Sequence, residues 1–199
     1  MWLKEVELES NSVTLSPLRT EHADALVSAA SDGNLWELWY TSIPNKDSVG
    51  DYINEALTEK ENGLALPFVV VDRASGKIIG TTRYCHADVT NQRLEIGYTW
   101  YSTAYQRSSI NTECKLLLLT HAFEVLEAIA VEFRTHWHNL ASRNAIARLG
   151  AKQDGVLRNH KKSSDGVYRD TVVFSIIDLE WPVVKQSLQH KLARHRIPF

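Results

Sequence analysis

The fold of this chain is decided by residues 94–114, which read LEIGYTWYSTAYQRSSINTEC. The first seven residues alternate, which predicts a β-strand. Leu116, Leu119, Phe123 and Leu126 then recur at helical spacing, which predicts a helix after a short polar loop. The first backbone N–H groups of such a helix have no helical partners and lie at the positive end of its dipole. The junction is therefore a candidate site for a phosphate or pyrophosphate group.

The composition is that of one soluble globular domain spanning residues 1–199, with 44% hydrophobic and 23% charged residues. The formal charge of -2 gives no electrostatic case for nucleic-acid binding. No apolar run approaches the roughly 20 residues of a membrane span, and the N-terminus lacks the features of a secretory signal. Cys85 and Cys114 have neither metal-ligand nor disulfide spacing. We therefore expect a reduced, cytoplasmic protein that binds neither nucleic acid nor membranes.

The order of the predicted elements is mixed α and β. Antiparallel hairpins come first, one β-α-β crossover follows, and a further hairpin precedes a terminal helix. Asn139 is placed to cap a short helix and Gly150 to end it, while Asp165 and Gly166 are expected to turn the last hairpin. The predicted elements are a hairpin around residues 6–15, a broken helical stretch over 21–53, helices over 48–60, 111–126, 140–149 and about 181–196, and strands over 68–71, 77–83, 94–100, 130–136, 153–160 and 167–177.

Four segments of this order resemble the GCN5-related N-acetyltransferases (GNAT), most of all the RimJ/RimL branch of ribosomal-protein N-terminal acetyltransferases. They are TLSPLR at 14–19, GKIIG at 76–80, LEIGY at 94–98 with QRSSINTE at 106–113, and NLAS at 139–142 through LGA at 149–151 with GVLR at 155–158. The resemblance implies the GNAT fold, an α+β fold with a central, mixed, mostly antiparallel twisted sheet. Its two central strands splay apart, and helices lie on both of its faces.

The resemblance also implies that acetyl-CoA is the co-substrate. No metal is expected, because no carboxylate or third histidine stands at a suitable spacing to His136 and His138. By this resemblance, acetyl-CoA is bound by the pyrophosphate loop and by a helix-capping asparagine. These residues are Gln106, Arg107, Ser108, Ser109, Ile110, Asn111, Thr112 and Asn139. Ser109 and Asn111 stand where the family loop normally has glycines, which allow backbone amides to approach a pyrophosphate closely. This departure leaves open a non-catalytic acyl-CoA-binding module as the alternative to an enzyme.

Acetyl transfer to an amine requires a base for the amine and a proton for the departing thiolate. Alternation puts Leu94, Ile96, Tyr98 and Trp100 on one face of their strand and Glu95, Gly97 and Thr99 on the other. In the family the amine approaches this strand, so Glu95 is the candidate base; the alternative is a structural carboxylate paired with Arg93 or Arg134.

Ser142 is the candidate proton donor, because Ile146 occupies the position at which many members carry a tyrosine. The alternative is an ordinary serine in the first turn of a helix.

Trp39 and Tyr40 lie in the segment that helps to form the acceptor cleft in this branch, although such aromatic side chains are also routinely core residues. His136 and His138 are expected at the substrate rim or on the surface. The expected acceptor is a primary amine, either a protein N-terminus or a small-molecule amine. The sequence leaves the protein as a monomer or a homodimer.

Overall fold

The computed structural model of the chain describes residues 2–163 and 166–195. The strands within this part are β1 (Leu8–Glu9), β2 (Val13–Pro17), β3 (Leu66–Asp72), β4 (Ile78–Asp88), β5 (Arg93–Tyr101), β6 (Ala130–His136), β7 (Lys152–Lys162) and β8 (Tyr168–Ile177). The helices are α1 (Ala23–Ser31), α2 (Val49–Glu61), α3 (Ile110–Glu124), α4 (Leu140–Leu149) and α5 (Trp181–His195). The arrangement is the predicted α+β fold.

The described strands form one 8-stranded sheet in the order β1-β2-β3-β4-β5-β6-β8-β7. Every neighbouring pair is antiparallel except β5 and β6, which α3 joins by a crossover and which are parallel. Pairing between these two strands covers residues 93–95 of β5 and 130–132 of β6 and then stops, although both strands continue. The mixed, mostly antiparallel sheet with splayed central strands is therefore confirmed.

Apolar side chains on the two faces of the sheet form two buried clusters. On β3, Phe68 and Val70 belong to the larger cluster with Leu118 of α3, whereas Val69 between them belongs to the smaller cluster with Leu26 of α1. This period of two is what a strand with both faces covered requires. The helices therefore lie on both faces of the sheet, as predicted.

The alternation predicted for residues 94–100 is wrong beyond Gly97. Leu94 lies in the larger cluster, but Trp100 lies in the smaller cluster on the opposite face. The cause is a β-bulge, because β5 has an extra residue relative to β4 between Gly97 and Trp100. Tyr98 within this interval has a φ of +50°. An extra residue exchanges the two faces of every residue that follows it.

The helix between β6 and β7 has the predicted bounds and the predicted ends. The side chain of Asn139 accepts the backbone N–H of Ser142 at 3.0 Å, and Gly150 ends α4 with a φ of +105°. The turn expected at Asp165 and position 196 of the terminal helix lie outside the described residues.

The terminal helix packs on the chain's own core. Val184 and Leu188 of α5 are 7% and 0% exposed and belong to the larger cluster. Trp181, at the start of α5, stacks on Phe123 of α3 with 5.3 Å between ring centroids. None of the described helices has the length and apolar character needed to cross a membrane.

Candidate active site

A cleft with a volume of about 1030 Å³ opens where β5 and β6 part. Its walls come from these two strands, the start of α3, the whole length of α4, the β7–β8 hairpin and residues 35–43 before α2. This volume is at the upper end of the range found for small-molecule binding sites. The splay of the sheet therefore creates a site for a long ligand between the central strands.

One end of the cleft is the loop that enters α3. Gln106, Arg107, Ser108 and Asn111 line it. Arg107 has a φ of +57°, and Gln106 Nε2 and Ser108 Oγ each donate to a backbone carbonyl of the preceding turn, at 2.9 and 2.6 Å. These bonds hold the loop in place without the family's glycines. The first N–H groups of α3 together with the Arg107 charge suit a pyrophosphate.

The other three predicted loop residues turn their side chains away from the cleft. Ile110 belongs to the larger core cluster, Thr112 is 2% exposed, and Ser109 Oγ donates to Glu113 Oε1 at 3.2 Å. The carboxylate of Glu113 also accepts the hydroxyl of Ser10 at 2.7 Å, which ties the loop to the first hairpin. Only the backbone N–H groups of Ser109 and Thr112 remain for a ligand, because the N–H of Ile110 donates to Ser108 Oγ at 3.3 Å.

The bulge at Tyr98 forms the middle of the β5 wall and is held from both faces. The guanidinium of Arg83 lies 3.8 Å from the centroid of the Tyr98 ring and pairs with Glu59 at 3.0 Å. From the other side, Lys115 Nζ donates to Thr99 Oγ1 at 2.6 Å. Bulged strands free backbone groups from the ladder. Here the carbonyl of Tyr98 accepts the hydroxyl of Thr81 at 2.9 Å, and Gly97, Tyr98 and Thr99 line the cleft.

Glu95 lies at the point where β5 and β6 part, and its side chain is 10% exposed. Its Oε2 is 2.9 Å from Nδ1 of His86 and 3.7 Å from Nε of Arg134. Arg134 bonds mainly to Glu132, which Arg93 also contacts. Of the two partners considered from the sequence, Arg93 contacts Glu132 instead. Arg134 pairs with Glu95 through this longer contact, so the alternative of a structural carboxylate keeps one of its partners.

The closest partner of Glu95 is His86, which sequence reasoning missed. The hydrogen bond to Glu95 raises the pKa of His86. His86 has a φ of +50° and its side chain is 60% exposed. It lies in the second irregular part of the β4–β5 pairing. Periodicity does not reveal such a position, and the only signal in the sequence is a histidine close to the end of a strand.

Ser142 and Asn139 lie on the opposite wall, at the start of α4. Both line the cleft, together with Ile146 one turn further along the helix. The Asn139 side chain caps α4, and the described residues give the Ser142 hydroxyl no hydrogen-bond acceptor. The serine hydroxyl is therefore available to a ligand. The amide nitrogen of Asn139 makes no hydrogen bond within the described residues and is available as a donor too.

Trp39 and Tyr40 come together with His136 and His138 at the rim of the cleft. Ring centroids of Trp39 lie 5.5 Å from Tyr40, 5.1 Å from His136 and 5.7 Å from His138. Tyr40 and His136 line the cleft itself, whereas Trp39 is 71% exposed. Trp39 is thus not a core residue, and the four rings form an aromatic rim.

Cys85, His86 and Glu95 place possible metal-binding atoms within 4.8 Å of one another. Burial and the nearby Glu95 raise the pKa of the Cys85 thiol well above its usual value, which disfavours the thiolate that a metal requires. Burial likewise raises the pKa of Cys114 to about 12, in keeping with a packing role in the core.

The chain matches the family model of the acetyltransferase (GNAT) domain over residues 12–152. Among curated proteins it is 30% identical over 106 residues to the "putative ribosomal N-acetyltransferase YdaF" of Bacillus subtilis. That match covers 53% of the chain and spans only 57% of the length of YdaF.

Two solved structures have the same fold. A GCN5-related N-acetyltransferase from Brucella melitensis superposes with a TM-score of 0.87 at 29% identity, covering 100% of this chain and 90% of that one. Mycobacterium smegmatis RimJ in complex with CoA-disulfide superposes with a TM-score of 0.77 at 22% identity, covering 94% and 93%. At 22% identity, the likeness to RimJ supports the fold alone. With its splayed sheet and matching family model, this chain belongs to the GNAT acetyltransferases.

Proposed function

We propose that the whole chain acts as one acetyl-CoA-dependent N-acetyltransferase domain that acetylates a primary amine directly. The observation that carries this proposal is the cleft between β5 and β6, which is lined by the loop entering α3 and by the nearly buried carboxylate of Glu95. Acetyl-CoA supplies the acetyl group as a thioester, whose C–S bond breaks as the new C–N bond forms. A protein N-terminus is the first acceptor to test, because YdaF is named for a ribosomal activity.

The residues at hand fit the binding of CoA at one end of the cleft. Arg107 and the first N–H groups of α3 would hold the pyrophosphate, and Gln106, Ser108 and Asn111 would add polar contacts beside it. Asn139 would bond the pantetheine arm with its free amide nitrogen.

Glu95 would accept the proton of the attacking amine, directly or through a water molecule. Its carboxylate is nearly buried, and its neighbour His86 reaches solvent, so the pair connects the cleft with bulk water. Ser142 would donate a proton to the thiolate from the opposite wall. Ile146, which lines the cleft beside it, has no proton to give.

The test is thiol release from acetyl-CoA with a panel of N-terminal peptides and small amines. We expect amine-dependent release that falls by about 10² to 10⁴ in Glu95→Gln, the usual contribution of a general base, and that also falls in Ser142→Ala. Glu124→Gln is the matched control, because Glu124 lies outside the cleft and pairs with Lys185. Thermal stabilisation by CoA, measured in parallel, reports binding alone.

Stabilisation by CoA without release from any amine would replace the enzyme with an acyl-CoA-binding module. Absence of both stabilisation and release would refute the proposal. Release that persists unchanged in Glu95→Gln would remove Glu95 as the base while keeping the transferase.

A further inference from the structure

Two cations lie on the same side of the cleft as Glu95 and His86, which we call the acceptor end, and have no acidic partner in the described part of the chain. Arg169 on β8 and Lys161 on β7 both line the cleft. They are directly opposite one another in the antiparallel pairing of these strands. Like charges in this position destabilise a sheet. The protein thus maintains a repulsive pair beside its own site.

A bulge in β7 places Lys161 in this position. Between the pairs Leu157–Thr171 and Lys161–Arg169, β7 has more residues than β8, and Asn159 within the bulge has a φ of +49°. Bulges commonly re-aim a side chain next to a site. Without the extra residues, regular pairing would place a different β7 residue opposite Arg169.

The nearest carboxylate on β8 is already occupied. Asp170 pairs with Arg158 and accepts the backbone N–H of Asn159 at 2.8 Å. It lies one residue from Arg169 on the strand and does not line the cleft. Asp170 therefore leaves the charge of Arg169 uncompensated within the cleft.

The balance of charge across the acceptor end is positive. Glu95 is the single acid among the described residues that line the cleft, and His86 and Arg134 already contact it. Burial, followed by the positive charges of Lys161 and Arg134, lowers the pKa of His160. Burial also lowers the pKa of Arg169 itself. A half-buried guanidinium without a counterion is costly, so an anionic ligand would stabilise this region.

We infer that Arg169 and Lys161 bind an anionic group, a carboxylate or a phosphate, that the acceptor carries close to its amine. The inference rests on the N-acetyltransferase function proposed above and names its substrate class. The planar guanidinium suits bidentate binding of either anion, and the ammonium adds a second charge. Glu95 meanwhile remains free of that anion because of its own negative charge.

The test compares acceptors with and without an anionic group close to the amine. One pair is the peptide amides Ser-Glu-Ala and Ser-Gln-Ala, and the other is O-phosphoethanolamine and ethanolamine. In the unmodified protein we expect kcat/KM to be higher for the anionic member of at least one pair by about tenfold or more, as charge-assisted hydrogen bonds allow. The pair that shows the preference identifies a peptide carboxylate or a phosphate as the group bound.

Arg169→Gln and Lys161→Gln should each reduce that preference, and the double variant should bring it to within about twofold. Lys162→Gln is the matched control, because Lys162 is adjacent in sequence but does not line the cleft. It should leave the preference unchanged.

Binding of the same four compounds to the CoA complex by calorimetry separates this inference from the enzyme itself. Binding of an anionic member that is lost in Arg169→Gln, with no thiol release from these compounds or from the wider panel of amines, would support the anion site and refute the transferase. The inference would be overturned if the charged and neutral members bound equally well and were turned over equally fast. It would also be overturned if neither member bound. A preference that survives in the double variant would overturn it as well.

Discussion

Replacement of Lys115 by methionine should make the protein more stable at neutral pH. Lys115 is 4% exposed, and the described residues offer it no carboxylate. Its Nζ instead donates to Thr99 Oγ1 at 2.6 Å and to Thr82 Oγ1 at 3.1 Å. Burial lowers its pKa from 10.5 to about 8. Methionine has a similar length and no charge to desolvate.

The difference between a pKa of 10.5 in the unfolded chain and about 8 in the folded one corresponds to about 3 kcal/mol of unfolding free energy. The loss of two hydrogen bonds offsets this by about 1 kcal/mol or somewhat more. The offset is small because the Thr82 and Thr99 hydroxyls remain 2.8 Å apart and keep each other as partners. We expect a net gain of about 1–2 kcal/mol in Lys115→Met at pH 7.

The gain should shrink as the pH rises. Below pH 8 both the folded and the unfolded chain carry the proton, and the full cost of burying the charge applies. Between pH 8 and 10.5 the unfolded chain binds more protons than the folded one, so the unmodified protein gains stability through this group.

Urea unfolding at pH 7 and pH 10 measures the difference in unfolding free energy between Lys115→Met and the unmodified protein. The titration of all other groups is common to both proteins and cancels in this difference. The exposed Lys77→Met serves as the control and should show neither effect. A variant less stable than the unmodified protein at pH 7, or a gain that does not change with pH, would refute the reasoning.

Three further substitutions test the local structure. Asn139→Ala removes the N-cap of α4 and should cost about 1 kcal/mol in thermal unfolding; an unchanged melting temperature would mean that the cap contributes nothing. Gly80→Ala should destabilise by about 1–3 kcal/mol or more, because the added Cβ would lie 2.0 Å from the carbonyl oxygen of Trp100; wild-type stability would contradict this clash. The bond to Glu95 raises the pKa of His86 above 6.5, so its stabilisation is complete below 6.5 and is lost as the pH rises through the folded value. His86→Asn should therefore flatten the pH dependence of unfolding above 6.5, and an unaltered profile would show that the pair is not coupled.

Several features that define the fold could be predicted from local sequence because their causes are local. The helical spacing of Leu116, Leu119 and Phe123 predicted α3, and the asparagine and glycine at the two ends of α4 fixed its bounds. The position of the α3 loop after β5 followed from the order of these elements alone. Glu95, Ser142 and part of the loop line one cleft, and the roles that we give them are proposals.

The irregular positions could not be predicted in this way. The bulge at Tyr98 moved Trp100 to the other face, and the pairing of His86 with Glu95 depends on a second irregularity between β4 and β5. A bulge depends on how two strands pair, and a period of two within one strand carries no information about its partner.

The sequence by itself determined the family, the order of strands and helices and the place of the loop before α3. Tertiary structure alone decided that the cleft has a buried Lys115 beside its bulge and the opposed cations Lys161 and Arg169 at its acceptor end. These side chains come from α3, β7 and β8 and meet only once the sheet has formed. The periodicity of a sequence indicates on which face of its own strand or helix a residue lies. The charge and desolvation of a side chain in a cleft depend instead on elements that are distant in sequence.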